Sequence, residues 1–176
     1  MNVILLLFIT LATMFVASGI NNVVTVMNGT DYYLDEAGVG DFIIITMGDQ
    51  AVGCLDEMLN THEAIDEYSL EKVVFGGEDN LKASDGTELE CKNSTIFQSI
   101  GASAIRFFNA DNQVINTVEK GHIYVSGKFA EENSLQVGDI ICLEHCGTNM
   151  EFVFNGALKD ALLGSDFMGN TRFLLN

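Results

Sequence analysis

The hydropathy pattern sets residues 2–20 apart from everything that follows. Leu, Ile, Val, Phe and Ala dominate this stretch, none of its side chains is charged, and the uncharged run continues to Thr30. About 20 apolar residues rising ~1.5 Å each span the ~30 Å hydrocarbon core of a bilayer. A helix also satisfies its own backbone hydrogen bonds in lipid. The pattern therefore predicts a transmembrane helix. Ile20, Val23, Val24, Met27 and, less regularly, Leu34 can share a face at helical spacing, so the helix continues outward as a stalk through residue 36. It should stop at Ala37-Gly38-Val39-Gly40, because glycine favours helix ends. Three readings compete. A buried core helix rarely runs so long without a polar face. A cleaved signal peptide finds its small-residue exit in Ala17-Ser18-Gly19 but lacks a basic start. A pilin-type assembly helix also begins apolar.

Beyond the stalk the periodicity shortens. Residues 41–46, with three consecutive isoleucines between glycine-bearing turns, read as a buried strand. Asp49 can cap a helix over residues 50–59 whose apolar face is Val52, Leu55, Met58 and Leu59. A second strand over residues 64–75 offers Ile65, Leu70, Val73 and Phe75 to a core. Strand, helix and strand in so few residues suggest a ferredoxin-like βαβ unit over residues 37–77. Residues 78–93 are polar and turn-rich, with Ser84-Asp85-Gly86 as a turn signal. The rest of residues 78–176 reads mainly as β: strands over 94–100, 104–108, 114–118, 122–125, 140–144, 150–155 and 172–175. Asn109-Ala110-Asp111-Asn112 forms a hairpin turn. A short helix at 128–133 is capped by Ser126, and Leu135-Gln136-Val137-Gly138-Asp139 turns into the next strand. The expected fold class is thus α+β: a transmembrane and stalk helix (residues 1–36), a βαβ part (37–77) and a β-rich part (78–176).

Charge narrows the partners. The chain carries 8 basic and 25 acidic side chains, a formal net charge of −17. Nucleic acid is excluded, since phosphate contacts need clustered Lys and Arg. Docking to an anionic lipid surface is disfavoured on the same ground. A natural membrane helix carries Lys or Arg on its cytoplasmic side, yet the first basic residue is Lys72. We therefore expect the cytoplasmic lead-in to lie outside this sequence, as in a fragment of a larger membrane protein. Residues 31–71 are rich in carboxylates, which places the domain after residue 36 on the extracytoplasmic side by elimination.

Candidate chemistry is sparse. There is no G-x-x-x-x-G-K-[ST], H-E-x-x-H, G-x-S-x-G or D-x-D-x-D-G pattern, so no enzyme, cofactor or metal site is expected. Asp35-Glu36 and Asp56-Glu57 are adjacent on helices, point apart and read as solvated surface. Cys142-Leu-Glu-His145-Cys146 has the look of a metal motif, but Cys54, Cys91, His62 and His122 are scattered, so a half-buried thiol or a local disulfide is the better reading. Asn28-Gly29-Thr30 and Asn93-Ser94-Thr95 fit the glycosylation triplet, which matters only in a glycosylating pathway. Phe107, Phe108, Phe152 and Phe154 are expected in the core rather than around a ligand. Residues 159–173 show neither periodicity, and Phe167 and Met168 there are candidate partner contacts at a loop tip.

Three stretches together resemble the FtsX-like and MacB-like permease subunits of ABC transporters. The first is the apolar helix leading into Asp31-Tyr32-Tyr33-Leu34-Asp35-Glu36-Ala37-Gly38-Val39-Gly40-Asp41-Phe42-Ile43-Ile44-Ile45. The second is Gly121-His122-Ile123-Tyr124-Val125-Ser126 with Phe129-Ala130 and Leu135-Gln136-Val137-Gly138-Asp139-Ile140. The third is Phe152-Val153-Phe154-Asn155-Gly156 followed by residues 159–169. The resemblance implies a first membrane helix plus much of the extracytoplasmic domain. It also implies a separate ATP-binding subunit, a second permease copy, membrane lipid around the helix and an outer partner or cargo. The four cysteines and the acidity depart from the pattern. Two alternatives remain: a pilin-like filament subunit with an apolar assembly helix, and a membrane-tethered ligand-sensing domain.

Overall fold

The computed structural model describes residues 3–76, 80–145, 147–164 and 169–176. The chain divides into two compact units, residues 1–36 and residues 37–176. The first is a single helix, α1 (Val3–Ala37), which runs unbroken through the apolar stretch and its polar continuation. It is long and apolar enough to cross a membrane. Thr10, Thr13 and Thr30 turn their hydroxyls back onto carbonyls one turn earlier, so these three groups are satisfied within the helix. It ends where expected, with Gly38 at φ 71°.

The second unit is a mixed α/β domain built on one curled sheet. Its strands are β1 (Val74–Phe75), β2 (Asn80–Ala83), β3 (Ser94–Ser99), β4 (Phe108–Asn109), β5 (His122–Ser126), β6 (Ile140–His145), β7 (Thr148–Lys159) and β8 (Asn170–Leu175). The order across the sheet is β1-β3-β8-β5-β7-β6-β2, with β4 added to β7. Two neighbouring pairs, β3–β8 and β5–β7, are parallel, and the other pairs are antiparallel. A helix α2 (Asp49–Thr61) precedes the sheet, and a short helix α3 (Gly127–Glu132) follows β5.

Side chains alternate across the central strands and fill two apolar clusters. Ile123, Val125, Ile141, Leu143, Phe154 and Phe173 pack with Phe129 and Ala130 of α3 on one face. Leu158 and Leu174 pack with Phe107, Ile115 and Val118 on the other. Phe154 and Leu158 are four residues apart and would share a face of an unbroken strand. They do not, because the β5–β7 register shifts between Ile123 and Tyr124, and Asn155 is the extra residue. Gly156, at φ 147°, follows the bulge. One inserted residue thus lets a single 12-residue strand serve both clusters.

The β-rich reading of the second half holds for the strands at 94–99, 122–126, 140–145, 148–159 and 170–175, for the helix after β5 and for the turns at 109–112 and 136–139. Residues 104–107 and 114–118 are corrected: they form no strand, apart from a bridge between Phe108 and Val114, and Phe107, Ile115 and Val118 pack against Leu158 and Leu174 of the sheet. The expected βαβ unit is also corrected. Residues 41–46 form no strand and only Val74–Phe75 of residues 64–75 enter the sheet, so the ferredoxin-like arrangement is not seen. An apolar run becomes a buried strand only if a neighbour accepts its backbone bonds, and no described strand does so here. Helix α2 forms, but its apolar face remains partly exposed and none of its residues is buried. The polar stretch after residue 78 supplies β2, whose Leu81 enters the core.

Candidate functional site

The strongest concentration of polar chemistry lies inside the domain, around Arg172 on β8. Its side chain is 1% exposed, among the largest fully buried in the chain. Burying a guanidinium in apolar surroundings is tolerated only if its donors are met. Nε meets the Asp160 carboxylate, Nη1 meets the side-chain oxygen of Gln98, and the guanidinium carbon lies 5.0 Å from the centre of the Phe107 ring. Gln98 passes the contact on: its Nε2 donates to Glu71 Oε2 at 2.8 Å. The amide is thereby fixed with oxygen toward the cation and nitrogen toward the carboxylate; the flipped amide would set donor against donor.

Each end of this chain of contacts is anchored on backbone. Asp160 accepts from the N–H groups of Leu162 (2.8 Å) and Gly164 (2.6 Å), closing the turn after β7. Gly164 leaves no room for a side chain, since a Cβ would overlap the Asp160 carboxylate and the Arg172 side chain. Ser126 joins from β5: its hydroxyl accepts from the Arg172 N–H at 2.8 Å and donates to the Gly164 carbonyl at 3.1 Å. This explains why Ser126 precedes α3 without capping it by its side chain. Glu71 accepts from Ala104 N–H at 2.8 Å and from the Ser103 hydroxyl at 3.3 Å. The network therefore ties the segment before β1 to β3, β8, β5 and the turn after β7.

The arrangement holds position. The side chains of Arg172 and Asp160 are sealed from solvent. A second polar group surrounds the bulge, where Asn155 Nδ2 donates to the Tyr124 hydroxyl at 3.0 Å and Asn155 Oδ1 lies 3.4 Å from His122 Nδ1. His122 Nε2 is 3.7 Å from Glu119 Oε2. The hollow between Cys91, Ser126, Phe129 and Thr171 encloses about 10 Å³, room for one water and no ligand.

The sequence-predicted residues fall as follows. Phe107, Phe108 and Phe154 are buried and Phe152 is partly buried, so all four belong to the core. Phe167 and Met168, the candidate partner contacts, lie outside the described residues, as does Cys146. Cys54, Cys91 and Cys142 are free thiols; Cys91 Sγ approaches the Asn93 carbonyl at 3.3 Å. Among the described residues no group of three or more His, Cys, Asp or Glu is placed to hold a metal. Asp56 does not stand alone in solvent: it accepts from the Tyr68 hydroxyl at 2.6 Å, and this bond holds the Tyr68 phenol above its ordinary pKa. Arg172, Asp160 and Gln98 were missed from sequence. The available signal was an Arg leading directly into the apolar run Phe173-Leu174-Leu175, which places a cation at the start of a buried strand.

Compared with known proteins, the chain matches no family model, no curated protein and no solved structure.

Proposed function

We propose that this chain is the first membrane helix and much of the extracytoplasmic domain of an FtsX-like or MacB-like ABC permease subunit. In that role the domain transmits movement. A separate cytoplasmic ATPase drives the membrane helix, the helix drives the domain, and the domain acts on an outer cargo or partner. Helix α1 anchors the chain in the membrane, and a second permease copy completes the transporter.

One observation carries the reading: β5, α3, the turn at residues 136–139 and β6 follow one another in the order of the resembling stretch. Gln136 N–H donates to Asp139 Oδ2 at 2.8 Å, and Gly138 takes φ 101°, so the Gly-Asp of that stretch has a defined local task. A buried network that fixes position suits a domain that transmits force.

Purification of the full-length protein in mild detergent should bring down a subunit carrying a phosphate loop. Recovery of no ATPase overturns the permease reading. Sidedness is tested separately through the exposed Cys54. A membrane-impermeant maleimide should label it in intact cells, and labelling only after lysis places the domain in the cytoplasm.

A further inference from the structure

Residues 42–46 combine three properties seldom found together in a folded domain. They are apolar and exposed: Phe42 is 89% accessible, Ile43 48%, Ile44 57% and Ile45 54%. They are extended, and none of their backbone N–H or C=O groups has a hydrogen-bond partner among the described residues. They are also β-branched and aromatic, the side chains best suited to a pleated strand. The segment has the form of a strand without its sheet.

An unpaired extended backbone asks for another extended backbone, because main-chain bonding satisfies every second N–H and C=O while side chains fill both faces. Charge selects whose backbone. Asp41 and Asp49 flank the segment, and residues 37–71 contain eight carboxylates with no Lys or Arg. A second copy of this chain, also at −17, would set acid against acid, and an anionic lipid surface would be repelled. A strand bearing Lys or Arg at alternate positions meets both demands. We propose that residues 42–46 are a docking strand onto which a partner protein adds a basic, extended segment by main-chain pairing. This assignment stands apart from the permease reading, because it depends only on the segment's own backbone and charge.

The test uses the full chain in nanodiscs of neutral phosphatidylcholine and three synthetic peptides of equal length, alternating Lys-Val, Lys-Gly and Glu-Val. Fluorescence anisotropy should show the Lys-Val peptide binding about tenfold or more tighter than Lys-Gly, with Glu-Val not binding. Binding should weaken as salt rises from about 0.05 M to about 0.5 M. Ile44→Pro removes a main-chain donor from an exposed segment outside both core clusters, so it should lower Lys-Val affinity about tenfold or more and leave the melting temperature unchanged. Equal binding of Lys-Val and Lys-Gly overturns the proposal, since charge alone would then suffice. So does undiminished binding by Ile44→Pro, or binding of a peptide copying residues 40–47 as tightly as Lys-Val, which would indicate self-pairing. Ile44→Trp places the sole tryptophan of the chain at the segment; quenching of its emission by brominated lipid would assign the surface to the membrane and overturn a protein partner.

Discussion

Residues 37–76 and residues 80–176 are both rich in β-branched and aromatic side chains, yet they end in opposite states. The later region closes a sheet in which Phe173, Leu174, Ile123 and Val125 are buried on two faces. The earlier region leaves Phe42, Ile43, Ile44 and Ile45 in solvent and packs α2 only partly. The contrast separates two requirements that an apolar run meets only together. It must have a face to hide, and it must have a neighbour to take its backbone bonds. In the later region β8 lies between β3 and β5, so both its edges are paired. In the earlier region the described ties to the rest of the unit are the short β1–β3 pairing with the bond from Gly76 N–H to the Thr95 carbonyl at 2.8 Å, the Glu71 contacts, and the bond from Arg106 N–H to the Ala37 carbonyl at 2.8 Å.

Truncating one phenylalanine in each region is the most direct way to break that comparison. Phe173→Ala removes a ring stacked 5.0 Å from Phe97 and edge-on to Phe129 at 5.3 Å, and should destabilise the domain by about 3–5 kcal/mol. Phe42→Ala removes a ring that touches nothing comparable and should change stability by less than about 0.5 kcal/mol. Denaturant melts of the full chain in detergent, followed by tyrosine fluorescence, compare the two. Similar losses would mean that residues 42–46 are packed in solution and that the contrast is false.

The ionic network sharpens the comparison from inside the packed region. Asp160→Ala strands a buried guanidinium, for which a loss of about 3–5 kcal/mol is expected. Replacing both partners, as Asp160→Leu with Arg172→Met, should restore most of that loss, because the penalty belongs to the unpaired charge and not to the absence of the pair. A double variant as unstable as the single one would show instead that the Asp160 turn itself, with its bonds from Leu162 and Gly164, holds the domain.

Much of the packed region was legible because period-two alternation, glycine turns and strand length agree there. His122 to Ser126, Ile140 to His145 and the final strand were placed to within two residues at each end. Residues 104–107 and 114–118 carry the same apolar content and read as strands, but local pattern cannot distinguish a strand in the sheet from an irregular cover laid on its face. The run at 42–45 failed for the complementary reason: its pattern is that of a buried strand, and burial depends on a partner that no local signal reveals. The Arg172 network was illegible for a third reason. Gln98 lies 74 residues away in sequence and meets Arg172 because β3 and β8 are parallel neighbours, while Asp160, 12 residues away, reaches it from the turn after β7.

Glu71 ties the segment before β1 to the packed region, and its removal tests whether that segment loosens separately. Glu71→Ala deletes acceptors for Gln98, Ser103 and the Ala104 N–H, with an expected loss of about 1–3 kcal/mol. Hydrogen exchange should rise over residues 62–73 while the amides of β5 and β7 stay protected. Exchange rising equally in both would show that the earlier region is integral to the sheet.

The smallest effect lies at the turn between β2 and the residues that follow it. Ala83 N–H bonds the Thr87 carbonyl at 2.8 Å, Gly86 N–H bonds the Ala83 carbonyl at 2.9 Å, and Thr87 N–H donates to Asp85 Oδ1 at 2.9 Å. That last bond favours the ionised carboxyl, so the Asp85 pKa is lowered from its ordinary 3.8. A group with a depressed folded pKa contributes stability above its unfolded value and loses it as pH falls through the folded one. The turn should therefore be fully set above about pH 5 and loosen only as acid carries the carboxyl below about pH 4. Because the side chain is exposed, the change should remain local: the Thr87 amide shifts and exchanges faster, while Leu81 and its β6 partner Leu143 hold. Asp85→Asn keeps an acceptor that does not titrate, so it should abolish the acid response of Thr87 without opening the turn at neutral pH. If Thr87 still responds to acid in Asp85→Asn, another carboxylate controls the turn. If Leu81 loosens with it, the packed region is less closed at this edge than at its centre.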